Sequence, residues 1–126
     1  MPTVMVVDDA PLTRATLKRL LVREGYEAVT ATGGGDALDK LESQQTPDLI
    51  LLDVHMPDLD GLELLERLHA HPQWRALPVV MLSAESDAHT VHRANQLGAK
   101  AYLVKATFSV HEMMRQVKSL TKYMPS

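Results

Sequence analysis

Asp8 and Asp9, Asp53, Ser83 and Lys105 each stand directly behind a short apolar run, at residues 4–7, 49–52, 79–82 and 101–104 respectively. Together they supply three acids, a hydroxyl and an amine. Carboxylates drawn into one place raise one another's pKa unless a cation sits among them. A hard ion with oxygen ligands resolves the conflict. Mg²⁺ fits, with Mn²⁺ as the alternative, because it takes one or two carboxylates, keeps waters and bridges to phosphate oxygens. No His or Cys cluster calls for zinc instead. Taken singly, each residue has a plainer explanation: Asp8 or Asp9 caps a helix near Pro11, Asp53 is a strand-end turn residue, and Lys105 lies on a solvated loop. What outweighs those explanations is that all of them fall on one edge of a fold inferred independently.

That fold follows from the apolar pattern. The four runs are too short for buried helices and read as buried parallel strands, and a weaker β-leaning stretch at 27–31 lies between the first two. Segments of helical spacing fill the gaps. Leu17, Leu20 and Leu21 mark the inner face of the first helix, with Pro11 in its opening turn and Gly25 at its end. Leu62, Leu65 and Leu68 mark the third. In the last, Val110, Met113, Met114, Val117 and Leu120 follow helical periodicity, and Ser109 with Glu112 forms a capping-box signature. The methionines in that stripe read as core, not as a cofactor box. Five β-α units imply an α/β fold: a doubly wound, five-stranded parallel sheet of order 2-1-3-4-5, flavodoxin-like, in a three-layer sandwich. Ligands in such folds bind beyond the carboxyl ends of the strands, which is where the acids, hydroxyl and amine stand.

Composition narrows the function classes. The chain has 126 residues, 45% hydrophobic and 23% charged, which suits one compact domain over residues 1–126 and excludes a disordered or fibrous chain. A net charge of -3 and a pI near 6.0 provide no basic footprint, so direct nucleic-acid binding by this domain is not expected. The absence of cysteine rules out disulfides and thiolate metal sites. Met1-Pro2-Thr3 runs straight into a strand-like stretch, with no basic region and long apolar segment behind it, so the expectation is a cytoplasmic chain untethered to membrane.

At the strand ends the sequence resembles the receiver domains of two-component response regulators, over essentially its whole length. The resemblance rests on Val6-Val7-Asp8-Asp9, on the stretch from Leu51 through Asp53 to Met56-Pro57 and Gly61, on Ser83-Ala84, and on Tyr102-Leu103-Val104-Lys105. It implies that Asp53 is the phosphoacceptor, Asp9 a direct metal ligand, Asp8 a ligand through water, and the His55 backbone carbonyl a further ligand. Lys105 and Ser83 would contact phosphoryl oxygens. Ser83 and Tyr102 would form a switch that reshapes the surface of the fourth helix, fifth strand and fifth helix, and His55 and Glu85 would tune dephosphorylation. The implied donor is a sensor histidine kinase or a histidine phosphotransfer protein, and the implied target a downstream protein or output domain. Such a domain catalyses its own phosphoryl transfer and dephosphorylation without being a conventional turnover enzyme. Most receivers place proline after the lysine. Here it is Ala106, and a trans bond is expected because cis before a non-proline costs roughly 2.5–4 kcal/mol.

Other features carry less. Gly33-Gly34-Gly35 lacks the spacing of a phosphate loop and reads as a flexible turn before the second helix. His89 and His92 share a helical face without a third ligand and read as surface. Asp58 and Asp60 read as loop residues, with Gly61 serving their turn, and Trp74 as remote from the acids. Three rival functions fit the residues less well. A phosphorylation-independent, receiver-like interaction module would normally lack part of the acid and lysine set. An aspartate phosphatase would place a second acid where His55 stands. A flavin site would need a phosphate loop where Asp8-Asp9 stands. No output domain is apparent after the fifth helix, so the chain either acts alone through protein contacts or is the receiver of a longer protein.

Overall fold

The structure, a computed structural model, describes residues 1–44, 46–84, 87–107 and 109–123. The elements run β1 Thr3–Val7, α1 Pro11–Arg23, β2 Glu27–Ala31, α2 Gly34–Ser43, β3 Leu49–Asp53, α3 Gly61–Ala70, β4 Val79–Ser83, α4 Ala88–Gln96, β5 Ala101–Val104 and α5 Val110–Thr121. All strand pairs are parallel, in the order β2-β1-β3-β4-β5 expected for the doubly wound, flavodoxin-like fold.

Why the runs are unbroken is plain from the two faces of the sheet. Met5, Val7, Ile50, Leu52, Val79 and Met81 pack under α2, α3 and α4, whose Leu41, Leu64, Leu65, Leu68 and Ala94 complete one core. Their strand neighbours Val4, Val6, Leu49, Leu51, Val80 and Leu82 pack under α1 and α5 against Leu17, Leu21, Met113, Met114 and Val117. Successive strand residues point to opposite faces, and here both faces are covered, so every position must be apolar.

Helix ends follow local chemistry. Pro11 opens α1, and Gly25, at φ 91°, takes the left-handed conformation just past its end. The side chains of Asp60, Asp87 and Ser109 accept from the backbone N–H groups of Glu63, Thr90 and Glu112, capping α3, α4 and α5.

Val110 lies in the first turn of α5 as its periodicity implies and is 48% exposed, while Met113, Met114 and Val117 of the same series are buried. Two expectations need correction. In α3 the buried stripe is Leu64, Leu65 and Leu68, with Leu62 only partly buried. The glycine run is no loose turn: Gly34 and Gly35 are the first helical residues of α2 and lie close against Asp58 and Leu59. Among the described residues no helix is long and apolar enough to cross a membrane.

Candidate functional site

Parallel register brings the strand ends together. Val7 pairs with Leu52, so Asp8, one step past β1, meets Asp53, the last residue of β3. Asp53 pairs with Leu82 and Ser83 with Val104, which sets Ser83 and Lys105 along the same edge. The Lys105 N–H donates to the Ser83 carbonyl at 2.7 Å and fixes where the lysine leaves the sheet.

Asp8, Asp9 and Asp53 each offer a carboxylate oxygen, all within 4.8 Å of one another, while Lys105 Nζ lies 2.9 Å from Asp8 Oδ2 and 3.3 Å from Asp53 Oδ1. Asp8 and Asp53 are buried at 1% and 5% exposure, whereas Asp9 is exposed. Both Asp8 oxygens are engaged, since Oδ1 accepts the Ala10 N–H at 2.9 Å. The expected capping role is not what Asp8 has: the N-cap of α1 is Ala10, without a side-chain cap bond, and Asp8 Oδ1 instead braces the turn that leads into it.

The electrostatics fit a cation-hungry cluster. Burial pushes the Asp53 carboxyl above the usual carboxylate range and the charge of Asp8 pushes it further, while Lys105 and the His55 backbone N–H pull back without cancelling the rise. For Lys105, burial pulls the pKa down, but its hydrogen bond to Asp8 and the charges of Asp53 and Asp8 outweigh this and hold it above the ordinary lysine value. One ammonium faces three carboxylates. An all-oxygen donor set with surplus negative charge fits a hard divalent cation, and Mg²⁺ takes such ligands.

The remaining expected residues are placed as follows. Ser83 is fully buried at the end of β4. Tyr102 is partly buried against the core under α3 and α4, on the same face as Ser83 and diagonal to it, because Met81 pairs with Tyr102. His55 is exposed on the loop after β3. Glu85 lies outside the described residues. No cis peptide bond occurs among those residues, so Lys105–Ala106 is trans, and Lys105 still reaches both acids. His89 and His92 are exposed on α4. Trp74 is buried away from the acids and stacked on His71, with ring centroids 3.8 Å apart.

The sequence offers no reading of Arg14, and of Gly61 only that it serves the turn after Asp58 and Asp60. Arg14 donates from α1 to the backbone carbonyl of Asp8 at 2.8 Å, bracing the residue from behind. Gly61 packs on the backbone of Asp53 and Val54, and its N–H donates to the Val54 carbonyl at 2.8 Å. Beside Lys105 an apolar groove of about 330 Å³ opens between α1 and α5, lined among others by Leu12, Leu20, Val110 and Met113.

Comparison with known proteins agrees with this geometry. The family model for the response regulator receiver domain matches residues 4–118. The chain is 34% identical over 122 residues, 97% of its length and 53% of the relative's, to the phosphate regulon transcriptional regulatory protein PhoB of Rhizobium meliloti. It is 38% identical over 94% of its length to the gliding motility regulatory protein of Myxococcus xanthus, covering 15% of that protein. The chain thus spans about half or less of the curated relatives it matches. Among solved structures, Vibrio cholerae chemotaxis protein CheY4 is similar at TM-score 0.87 and 29% identity, covering 95% of this chain and 98% of that one. The response regulator TrrA of Thermotoga maritima, in complex with Mg²⁺-BeF, is similar at TM-score 0.83 and 35% identity, covering 95% and 99%.

Proposed function

The chain belongs to the response regulator receiver domain family, and from that premise we propose that Asp53 is its phosphoacceptor, working with Mg²⁺ held among Asp8, Asp9 and Asp53. The observation that carries this reading is the set of three acids within 4.8 Å of one another, with one lysine bonded to two of them. The donor is a phosphohistidine on a sensor histidine kinase or histidine phosphotransfer protein.

An Asp53 oxygen attacks phosphorus in line; the O–P bond forms as the P–N bond breaks, and the imidazole leaves with the electron pair. Water later attacks the same phosphorus, releasing inorganic phosphate and restoring the carboxylate. Bound Mg²⁺ supplies charge neutralisation for the phosphoryl oxygens. The chain's own residues divide the remaining work. Asp9, exposed beside the pocket, would hold the ion directly, Asp8, with both oxygens engaged, would act through water, and the His55 carbonyl would complete the protein ligands. Lys105 transfers its ammonium contact from the acids to a phosphoryl oxygen, and Ser83 donates to another.

Phosphorylation then draws Ser83 inward, Tyr102 turns into the space, and the α4-β5-α5 surface changes for a downstream protein or output domain. Residues 1–126 act as one receiver unit, in the cytoplasm, without nucleic acid or membrane as direct partner. Phosphorylation-dependent signalling is favoured over a phosphorylation-independent module because the acid and lysine set is complete.

The test is intact mass after incubation with a small-molecule phosphodonor, with and without Mg²⁺. One phosphoryl adduct is expected on the wild type with Mg²⁺ and none on Asp53→Asn. Labelling of the variant, or metal-independent labelling of the wild type, rejects the reading.

A further inference from the structure

Helix α2 begins without a side chain of its own at the N-cap, since Gly33 holds that position. The first backbone N–H groups of a helix need partners from elsewhere. Asp36 reaches back to the Thr32 N–H at 2.9 Å, and the Gly35 N–H donates across the fold to Asp58 Oδ2 at 3.0 Å. Asp58 belongs to the loop between β3 and α3, which also carries His55. We propose that Asp58 is a positioning residue: its hydrogen bond to Gly35 latches the β3-α3 loop to the start of α2 and thereby holds the His55 carbonyl in place for the metal.

The glycine run is what lets the latch close. A Cβ at Gly33 would lie 2.7 Å from Asp58 Oδ1, and one at Gly34 would lie 2.6 Å from the Leu59 carbonyl oxygen, a backbone atom that cannot swing aside. A Cβ at Gly35 would come within 3.2 Å of Asp58 Oδ2. Any larger side chain at Gly34 therefore pushes the loop away from α2. The positive end of the helix favours the carboxylate, and the backbone N–H groups of Gly35 and Leu59 hold the Asp58 carboxyl below the usual range.

The other supports of this loop lie at its ends or in its apolar side chains. Val54 donates to the Leu82 carbonyl, Gly61 donates to the Val54 carbonyl, and Asp60 caps α3. Met56 is buried and Leu59 is packed against the core. Asp58 is the one side chain of residues 55–59 with a described hydrogen bond to another element's backbone. It stands three residues after His55, so it restricts the segment whose carbonyl must face the ion.

The inference rests on the proposed metal site, and its test separates the two. The whole chain, without phosphodonor, is titrated with MgCl₂ by NMR, and the exchange of the Gly35 amide is followed in metal-free protein. Asp58→Ala is expected to speed that exchange and weaken Mg²⁺ binding about tenfold, the lower end for residues that support metal ligands. Asp58→Asn keeps an acceptor oxygen and is expected to stay within about twofold of wild type. Equal weakening in both variants would assign the effect to lost charge and overturn the latch. Asp9→Asn reports on the metal site itself: retained Mg²⁺ binding there rejects the site and the latch together. Lost binding in Asp9→Asn beside unchanged binding in Asp58→Ala rejects the latch alone.

Discussion

Gly61 rests directly on the backbone of Asp53: a Cβ added to it would lie 2.2 Å from the Asp53 carbonyl oxygen and 2.8 Å from the Val54 Cα. Helix α3 can start against the end of β3 only because this position has no side chain. Gly61→Ala must move the helix or the strand end, and overpacking of this kind costs roughly 1–3 kcal/mol. Denaturant unfolding should show that loss, and labelling of Asp53 should slow because its backbone is displaced. A stability within about 0.5 kcal/mol of wild type, the range of ordinary surface substitutions, would reject the close approach.

Burial and the charge of Asp8 raise the Asp53 pKa in the folded, metal-free protein. A carboxyl whose folded pKa is raised contributes stability that is full below its unfolded value and is lost as pH rises through the folded one. Asp53→Asn has no such loss. In EDTA the variant should melt higher than wild type near neutral pH, and the gap should shrink as pH falls towards the unfolded aspartate value. Adding Mg²⁺ should raise the melting temperature of wild type more than that of the variant. A variant less stable than wild type at neutral pH without metal would contradict the raised pKa.

The two neighbouring acids should differ. Asp8 Oδ1 and Oδ2 are held by the Ala10 N–H and Lys105, while the Asp9 side chain stands exposed. Mg²⁺ affinity, followed by NMR titration, should therefore fall further in Asp9→Asn than in Asp8→Asn. Equal or reversed losses would reverse the proposed ligand order.

Leu12 is 80% exposed at the mouth of the groove beside Lys105, and Val110 is 48% exposed across from it. Apolar side chains so placed suit docking of the proposed phosphohistidine protein donor. Leu12→Asp should slow phosphotransfer from the histidine donor by about tenfold, in the range of an interface side chain. Labelling by a small-molecule donor should be unchanged, because it needs no docking surface. Equal slowing with both donors would mean that Leu12 acts on the site and not on docking.

The sheet was legible in sequence because both of its faces are covered, so Leu49 to Leu52 and Val79 to Leu82 could not alternate with polar residues. The convergence of Asp8, Asp9, Asp53 and Lys105 at the candidate site was legible because these residues follow those same runs. Arg14 was not, since its acceptor is the Asp8 carbonyl, and a backbone acceptor has no residue type to recognise. Nor was the packing of Gly33 and Gly34, which depends on Asp58 and Leu59 arriving from a distant loop. Val110 satisfies helical periodicity yet is exposed, because periodicity reports a helix face and not whether the sheet extends beneath it.

Ser83 and Tyr102 share one face of the sheet on adjacent strands, with Met81 paired to Tyr102 and Ser83 to Val104. Ser83 is fully buried and Tyr102 only partly, so a ring turning inward needs room that movement of Ser83 would free. Such a change is a shift between two packings, and phosphorylation biases it only through contacts that differ between them. In the proposed switch the Ser83 hydroxyl is that differential contact. Ser83→Ala should still be phosphorylated on Asp53, yet Tyr102 should not change its ring position on phosphorylation, as read by NMR of the tyrosine side chain. His55 provides the companion control, because its exposed side chain stands two residues after Asp53 and does not belong to the Ser83-Tyr102 pair. His55→Ala should alter the rate of phosphoryl decay while Tyr102 still responds. If Tyr102 turns inward on phosphorylation of Ser83→Ala, the coupling is wrong even with Asp53 as the acceptor.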